Sequence, residues 1–135
     1  MKKTILILLA SILIIGCSSE KRVLLDELEN KSENWLESVM HYDGELFSGV
    51  GYDVYENGQL QKEEAYKNGQ LHGPWKEWYK DGKIWLEGSY KNGKEHGLEK
   101  WWHSNGALKF QGEYENGTLI SQTCFDKNGV EVQCK

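Results

Sequence analysis

Whatever chemistry this 135-residue chain performs falls to its tryptophans, histidines, carboxylates and cysteines. Three of its six tryptophans and two tyrosines lie within Gly73–Gly97, GPWKEWYKDGKIWLEGSYKNGKEHG. Rings at that density can stack on sugars or nucleic-acid bases, anchor a protein contact, or pack a thin sheet. His72 and His96 stand 24 residues apart, as the ligands of a metal ladder would. A position that recurs belongs first to a repeat signature, however, and its imidazole is better read as bonding a turn. Glu63 and Glu87, like Asp53 and Glu77, are offset by the same 24 residues. A glycoside hydrolase needs two carboxylates about 5–10 Å apart in a cleft that raises one pKa, and an open sheet, the architecture implied by the spacing, offers no cleft. No Ser-His-Asp arrangement, phosphate-cradling glycine loop or zinc-ligand spacing is present in the sequence. The expectation is a non-enzyme without metal or cofactor, whose tryptophans serve packing or binding.

A repeat must position these residues. His72-Gly73 recurs as His96-Gly97 and aligns with Ser48-Gly49, a period of 24. Val54, Trp78 and Trp102 fall in register, as do Leu60, Ile84 and Leu108, and Tyr66, Tyr90 and Tyr114. Three full copies span about 48–119, and a fourth with one deletion runs to the end. Asn-Gly or Asp-Gly pairs punctuate each copy every 11 to 13 residues and predict type I′ hairpin turns, whose two central residues both need φ > 0. Between turns the pattern alternates: Ile84, Leu86, Gly88 and Tyr90 on one face, Trp85, Glu87 and Ser89 on the other. Trp78 and Trp102 are assigned with Val54 to the packed face. The predicted fold is all-β: an open, single-layer antiparallel meander of tandem 24-residue hairpins.

The motifs YKDGKIWLEGSYKNGKEHG and WHSNGALKFQGEYENG resemble the MORN-variant repeat, and LFSGVGYDVYENGQLQKEEAYKNGQLHG resembles the start of the bacterial YwqK-like antitoxin family. The resemblance covers roughly 45–119 and implies a MORN-like sheet and an antitoxin-like role. Ser48 in place of histidine, Lys62 and Glu64 on the inner face, and Ile120-Ser121 in place of His-Gly depart from the pattern, as terminal repeats do.

MKKTILILLASILIIGCSSE opens with two lysines and an apolar run to Gly16, the layout of an export signal. IIGC resembles the lipobox of bacterial lipoproteins, which implies cleavage before Cys17 and acylation of its thiol, an attachment several acyl chains would make lasting. Ser18 resembles the outer-membrane sorting case. Three segments follow: a lipoprotein signal peptide, 1–16; a lipidated N-terminus, tether and irregular capping segment, 17–44; and a MORN-variant repeat domain, 45–135. Within 17–44, a helix from Leu24 to Glu29 competes with strands around Trp35–His41; Asp43-Gly44 favours an extra hairpin closing the N-terminal edge. The expected location is the cell envelope, on the periplasmic face of the outer membrane in a Gram-negative cell.

Lys2 and Lys3 leave with residues 1–16, so 14 basic residues face 21 acidic ones. That balance excludes nucleic acid and a second, electrostatic grip on anionic lipid. Cys124 and Cys134 then remain as an even pair flanking Asn128-Gly129, and the expectation in an oxidising compartment is a disulfide rather than two free thiols. Trp75, Trp85 and Trp101 fall outside the regular repeat positions and are the candidate partner-binding residues. The function expected is a membrane-tethered protein-interaction module with an unidentified protein partner, in an antitoxin- or immunity-like role. The alternative is a glycan- or peptidoglycan-binding lipoprotein whose tryptophans stack on sugar rings. The sequence does not specify an oligomeric state.

Overall fold

A computed structural model describes residues 20–32 and 38–135. The signal peptide, Cys17 and the Trp35 end of the expected N-terminal hairpin lie outside the described residues. Each repeat is a hairpin, as its turns require. β5 (Gly49–Val54) pairs with β6 (Leu60–Lys67), and β7 (Gln70–Trp78) with β8 (Ile84–Lys91). β9 (Lys94–Glu95) and β10 (Gly97–Trp102), parted at His96, both pair with β8, and β10 pairs onward with β11 (Leu108–Glu115). β12 (Thr118–Phe125) and the short β13 (Glu131–Val132) close the series. These strands form one open antiparallel meander in sequence order.

The N-terminal edge differs from the expected hairpin. β1 (Arg22–Leu24) lies parallel to β5, with Val23 opposite Gly51. The helix considered over Leu24–Glu29 is one 3-10 turn, Leu25–Glu27. The Asp43-Gly44 turn does join two strands, β3 (Met40–Tyr42) and β4 (Glu45–Leu46). With β2 (Glu29–Asn30) they make a separate three-stranded sheet instead of extending the main one. Val23, Phe47 and Tyr66 are buried where these pieces meet, and Leu25, Leu28, Met40, Tyr42 and Leu71 pack around them.

The turns fall into two kinds that one dipeptide conceals. At Asn68-Gly69, Asn92-Gly93 and Asn116-Gly117 both residues have positive φ, as type I′ requires. At Asn57-Gly58, Asp81-Gly82, Asn105-Gly106 and Asn128-Gly129 only the glycine does. There the glycine N–H closes a tight turn, as Gly82 N does on Tyr79 O at 2.9 Å, so the uniform type I′ expectation is corrected at these four sites.

Beyond its ladders, the sheet is tied repeat to repeat. The N–H groups of Gly69, Gly93 and Gly117 donate to the carbonyls of Phe47, Leu71 and Glu95 at 2.7, 2.8 and 2.9 Å. The Tyr55 and Tyr79 hydroxyls donate to the Trp78 and Trp102 carbonyls, each at 2.7 Å. His103 stands in the tyrosine's place and brings Nε2 within 3.1 Å of Phe125 O, so it is a latch.

Each hairpin also shifts register once, between Asp53 and Val54, Glu77 and Trp78, and Trp101 and Trp102. Gln61, Trp85 and Lys109 are the extra residues, so Trp85 and Leu86 both stand opposite Glu77. The simple alternation from Ile84 to Tyr90 therefore breaks at Trp85. Trp78 and Trp102, one residue beyond Glu77 and Trp101, go to the opposite face with Ile84 and Leu108, their strand partners. Their assignment to the packed face is corrected: the face of buried Leu86 and Phe110 is the other one.

Candidate binding face

Two cross-strand rows build the face that holds Leu86 and Phe110. Gly51, Glu64, Trp75 and Gly88 are successive partners across four strands, and Glu99 pairs onward with Gly112. Beside them run Lys62, Glu77, Leu86, Trp101, Phe110 and Cys124. Large side chains thus alternate with glycines. The reason is steric: a Cβ on Gly88 would come within 3.3 Å of Glu99 Cγ.

Tryptophan and carboxylate exchange places between repeats two and three. Trp75 Nε1 donates to Glu77 Oε1 at 3.1 Å, whereas Trp101 Nε1 donates to Glu99 Oε1 at 2.5 Å. Each indole packs against a second ring: Trp75 on Tyr90 at 5.5 Å and Trp101 on Phe110 at 4.7 Å. Trp85 lies 6.3 Å from the Tyr79 ring. Lys109, the equivalent of Trp85 one repeat on, has Nζ 6.0 Å from the Trp101 ring, which places both bulge residues on this face. The three candidate tryptophans therefore share a face, and all three are half-buried.

Two carboxylates here are buried, Glu64 at 8% and Glu99 at 4% exposure. Glu64 accepts from the Tyr66 hydroxyl at 2.7 Å and pairs with Lys62 Nζ at 2.6 Å. Burial raises the Glu99 carboxyl above its ordinary range, the Trp101 N–H pulls it back in part, and Glu95 pushes it up further. The Tyr90 hydroxyl is pushed up to about 12 by burial and then by Glu95, Glu99, Glu64 and Glu77. An aromatic strip in an acidic field can stack on a flat or cationic group. Glu64 is legible in the sequence as an interruption of the inner face, whereas Glu99 is not. Glu64 shares its repeat position with Gly88 and Gly112, where a long side chain must lie over a neighbouring strand.

The opposite face is a charge ladder. Glu63, Lys76, Glu87 and Lys100 are cross-strand neighbours of alternating sign, and Arg22 pairs with Glu63 at the edge. Such pairs order a sheet. His72 Nδ1 lies 3.2 Å from Asn92 Oδ1, beside the next repeat's turn. Cys124 and Cys134 are joined by a disulfide.

Residues 48–68, 71–92 and 95–116 each match the family model of the MORN repeat variant. No curated protein and no solved structure matches the chain.

Proposed function

We propose, from the premise that residues 48–116 carry three MORN-variant repeats, that the chain is a membrane-anchored, non-catalytic bacterial lipoprotein whose sheet binds a protein partner in an antitoxin- or immunity-like role. MORN repeats are often protein-interaction or binding modules. The observation that carries this reading is the gathering of Trp75, Trp85 and Trp101 on one face although none recurs at its repeat position. The equivalents are Gly51 and Glu99 for Trp75, Gln61 and Lys109 for Trp85, and Asp53 and Glu77 for Trp101. A hairpin that forms with glycine, glutamine or aspartate at those positions does not need an indole there, so contact is the better reason for one. The glutamates around Tyr90 favour a partner that brings lysine or arginine to the aromatic strip.

Cys17 supplies the anchor in this reading and places the sheet at the cell envelope, on the periplasmic side of the outer membrane in a Gram-negative cell. Cys17→Ser then releases or mislocalises the protein, and the wild type takes up a palmitate analogue in cells. Crosslinking in the native envelope, followed by mass spectrometry, recovers one protein in stoichiometric yield. A wild type that is never acylated contradicts the anchor, and the absence of any specific crosslinked protein contradicts the interaction.

A second reading is favoured by the carboxylates beside the indoles, Glu77 at Trp75 and Glu99 at Trp101. Stacking rings flanked by acceptors suit sugar rings and hydroxyls, so peptidoglycan fragments are the competing ligand. Saturable binding of such fragments by the pure protein, abolished in Trp75→Ala, selects this reading.

A further inference from the structure

At the C-terminal end of the aromatic face the sheet bounds a half-open hollow of about 710 Å³, the size of a small-molecule site. Trp101, Phe110, Tyr114, Leu119 and Phe125 wall it, and the Cys124–Cys134 disulfide completes the lining. β13, which borders it, has two residues where β11, its counterpart one repeat earlier, has eight.

The charge at this cavity runs against that of the chain, which is −5 overall. Among the described residues, no aspartate or glutamate lines it; its charged side chains are Lys109 and Lys135, joined by His103. Of the acids close by, Glu99 accepts from Trp101 Nε1, Asp126 accepts from the backbone N–H groups of Asn128 and Val130, and Glu131 stands opposite Phe125. Lys109 and Lys135 are both exposed, and Lys109 Nζ stands 6.0 Å from the Trp101 ring, so both ammonium groups can reach a ligand at the rim.

We propose that this cavity binds a small monoanionic amphiphile: an apolar or aromatic body bearing one carboxylate. The body lies against Trp101, Phe110 and Leu119, and the carboxylate meets the ammonium groups of Lys109 and Lys135, where charge-assisted hydrogen bonds fix its orientation. The site shares Trp101 with the proposed partner face, but neither Trp75 nor Trp85 lines it and it needs no protein partner, so binding by the pure protein tests it separately from the interaction reading.

The test is calorimetric titration of the protein, purified from its native envelope into nanodiscs, with 2-naphthoate, 2-naphthol and 2-naphthylmethylamine, which share a body and differ in charge. Empty nanodiscs serve as the blank. Naphthoate is expected to bind at least tenfold more tightly than the amine or the alcohol. Lys109→Glu combined with Lys135→Glu weakens naphthoate at least tenfold without moving the melting temperature, and Leu119→Trp, which fills the apolar wall, abolishes its binding. Should the charge reversal alter the melt, the three-probe ranking on the wild type decides by itself. No naphthoate binding, equal binding of the three probes, or undiminished binding by a folded double variant overturns the proposal.

Discussion

The two ends of the sheet face the same hazard, an open row of backbone donors and acceptors, and they meet it differently. At the N-terminal end a parallel strand, a 3-10 turn and a second small sheet fold over the edge and bury Phe47 to 2% exposure. At the C-terminal end a two-residue strand is held by one disulfide, while Leu119, Ile120, Val130 and Val132 stay exposed. Packing consumes the space it covers; a covalent staple holds an edge without filling it. The closed end therefore serves stability, and the stapled end leaves the hollow beside Trp101 and Phe110 open.

The largest expected effect falls at the closed end. Phe47→Ala removes the most buried ring of that cluster and costs about 3–5 kcal/mol, read as a fall in denaturant midpoint. A loss below 1 kcal/mol would show that the cap does not hold the sheet together. Next comes the staple. Cys124→Ser with Cys134→Ser opens a loop of 10-residue separation and costs about 2–3 kcal/mol in the chain-entropy picture. Hydrogen exchange should accelerate in β12 and β13 while β5 to β8 keep their protection; uniform acceleration breaks the distinction between the ends.

Between the ends, turn chemistry sharpens the picture. Asn92 sits at φ 52, where a β-branched side chain is strained. Asn92→Val is expected to cost about 1 kcal/mol more than Asn92→Ala, and equal melting temperatures would contradict the type I′ geometry there.

The smallest effect is electrostatic and lies at the centre of the aromatic face. Glu99 has its carboxyl raised by burial, so the folded chain holds that proton more readily than the unfolded one. Its contribution to stability is complete below the ordinary glutamate range and is lost as pH rises through the raised value. Glu99→Gln keeps an acceptor for Trp101 and removes the charge, so it melts above the wild type at neutral pH. The gap closes as pH falls below the ordinary carboxyl range, and a gap independent of pH contradicts the assignment.

Period and turn spacing made the meander legible in the sequence, because Asn-Gly pairs at fixed intervals leave a hairpin array as the only economical path. The faces were less legible. One extra residue per repeat, Gln61, Trp85 or Lys109, reverses the alternation, and nothing in residue type distinguishes a bulge position from its neighbours. The parallel placement of β1 was beyond reach, since it depends on Val23 meeting Phe47 and Tyr66 across long stretches of chain. Of the candidate site, Trp75, Trp85 and Trp101 were legible by their failure to repeat. Of their glutamate partners, Glu77 stood out as a carboxylate near the tryptophans, whereas Glu99 did not, because a carboxylate on a strand ordinarily reads as solvated.

On this proposal the unrepeated tryptophans on the Leu86–Phe110 face recognise a partner while those on the ladder face serve the fold. Quantitative crosslinking in the native envelope, run alongside thermal melts on Trp85→Ala and Trp78→Ala, separates the two roles. Trp85→Ala is expected to lose at least tenfold in captured partner with a melt close to wild type, whereas Trp78→Ala lowers the melt and still captures partner through its folded fraction. Undiminished capture by Trp85→Ala, or equal loss of capture in both variants in proportion to their melts, would contradict it.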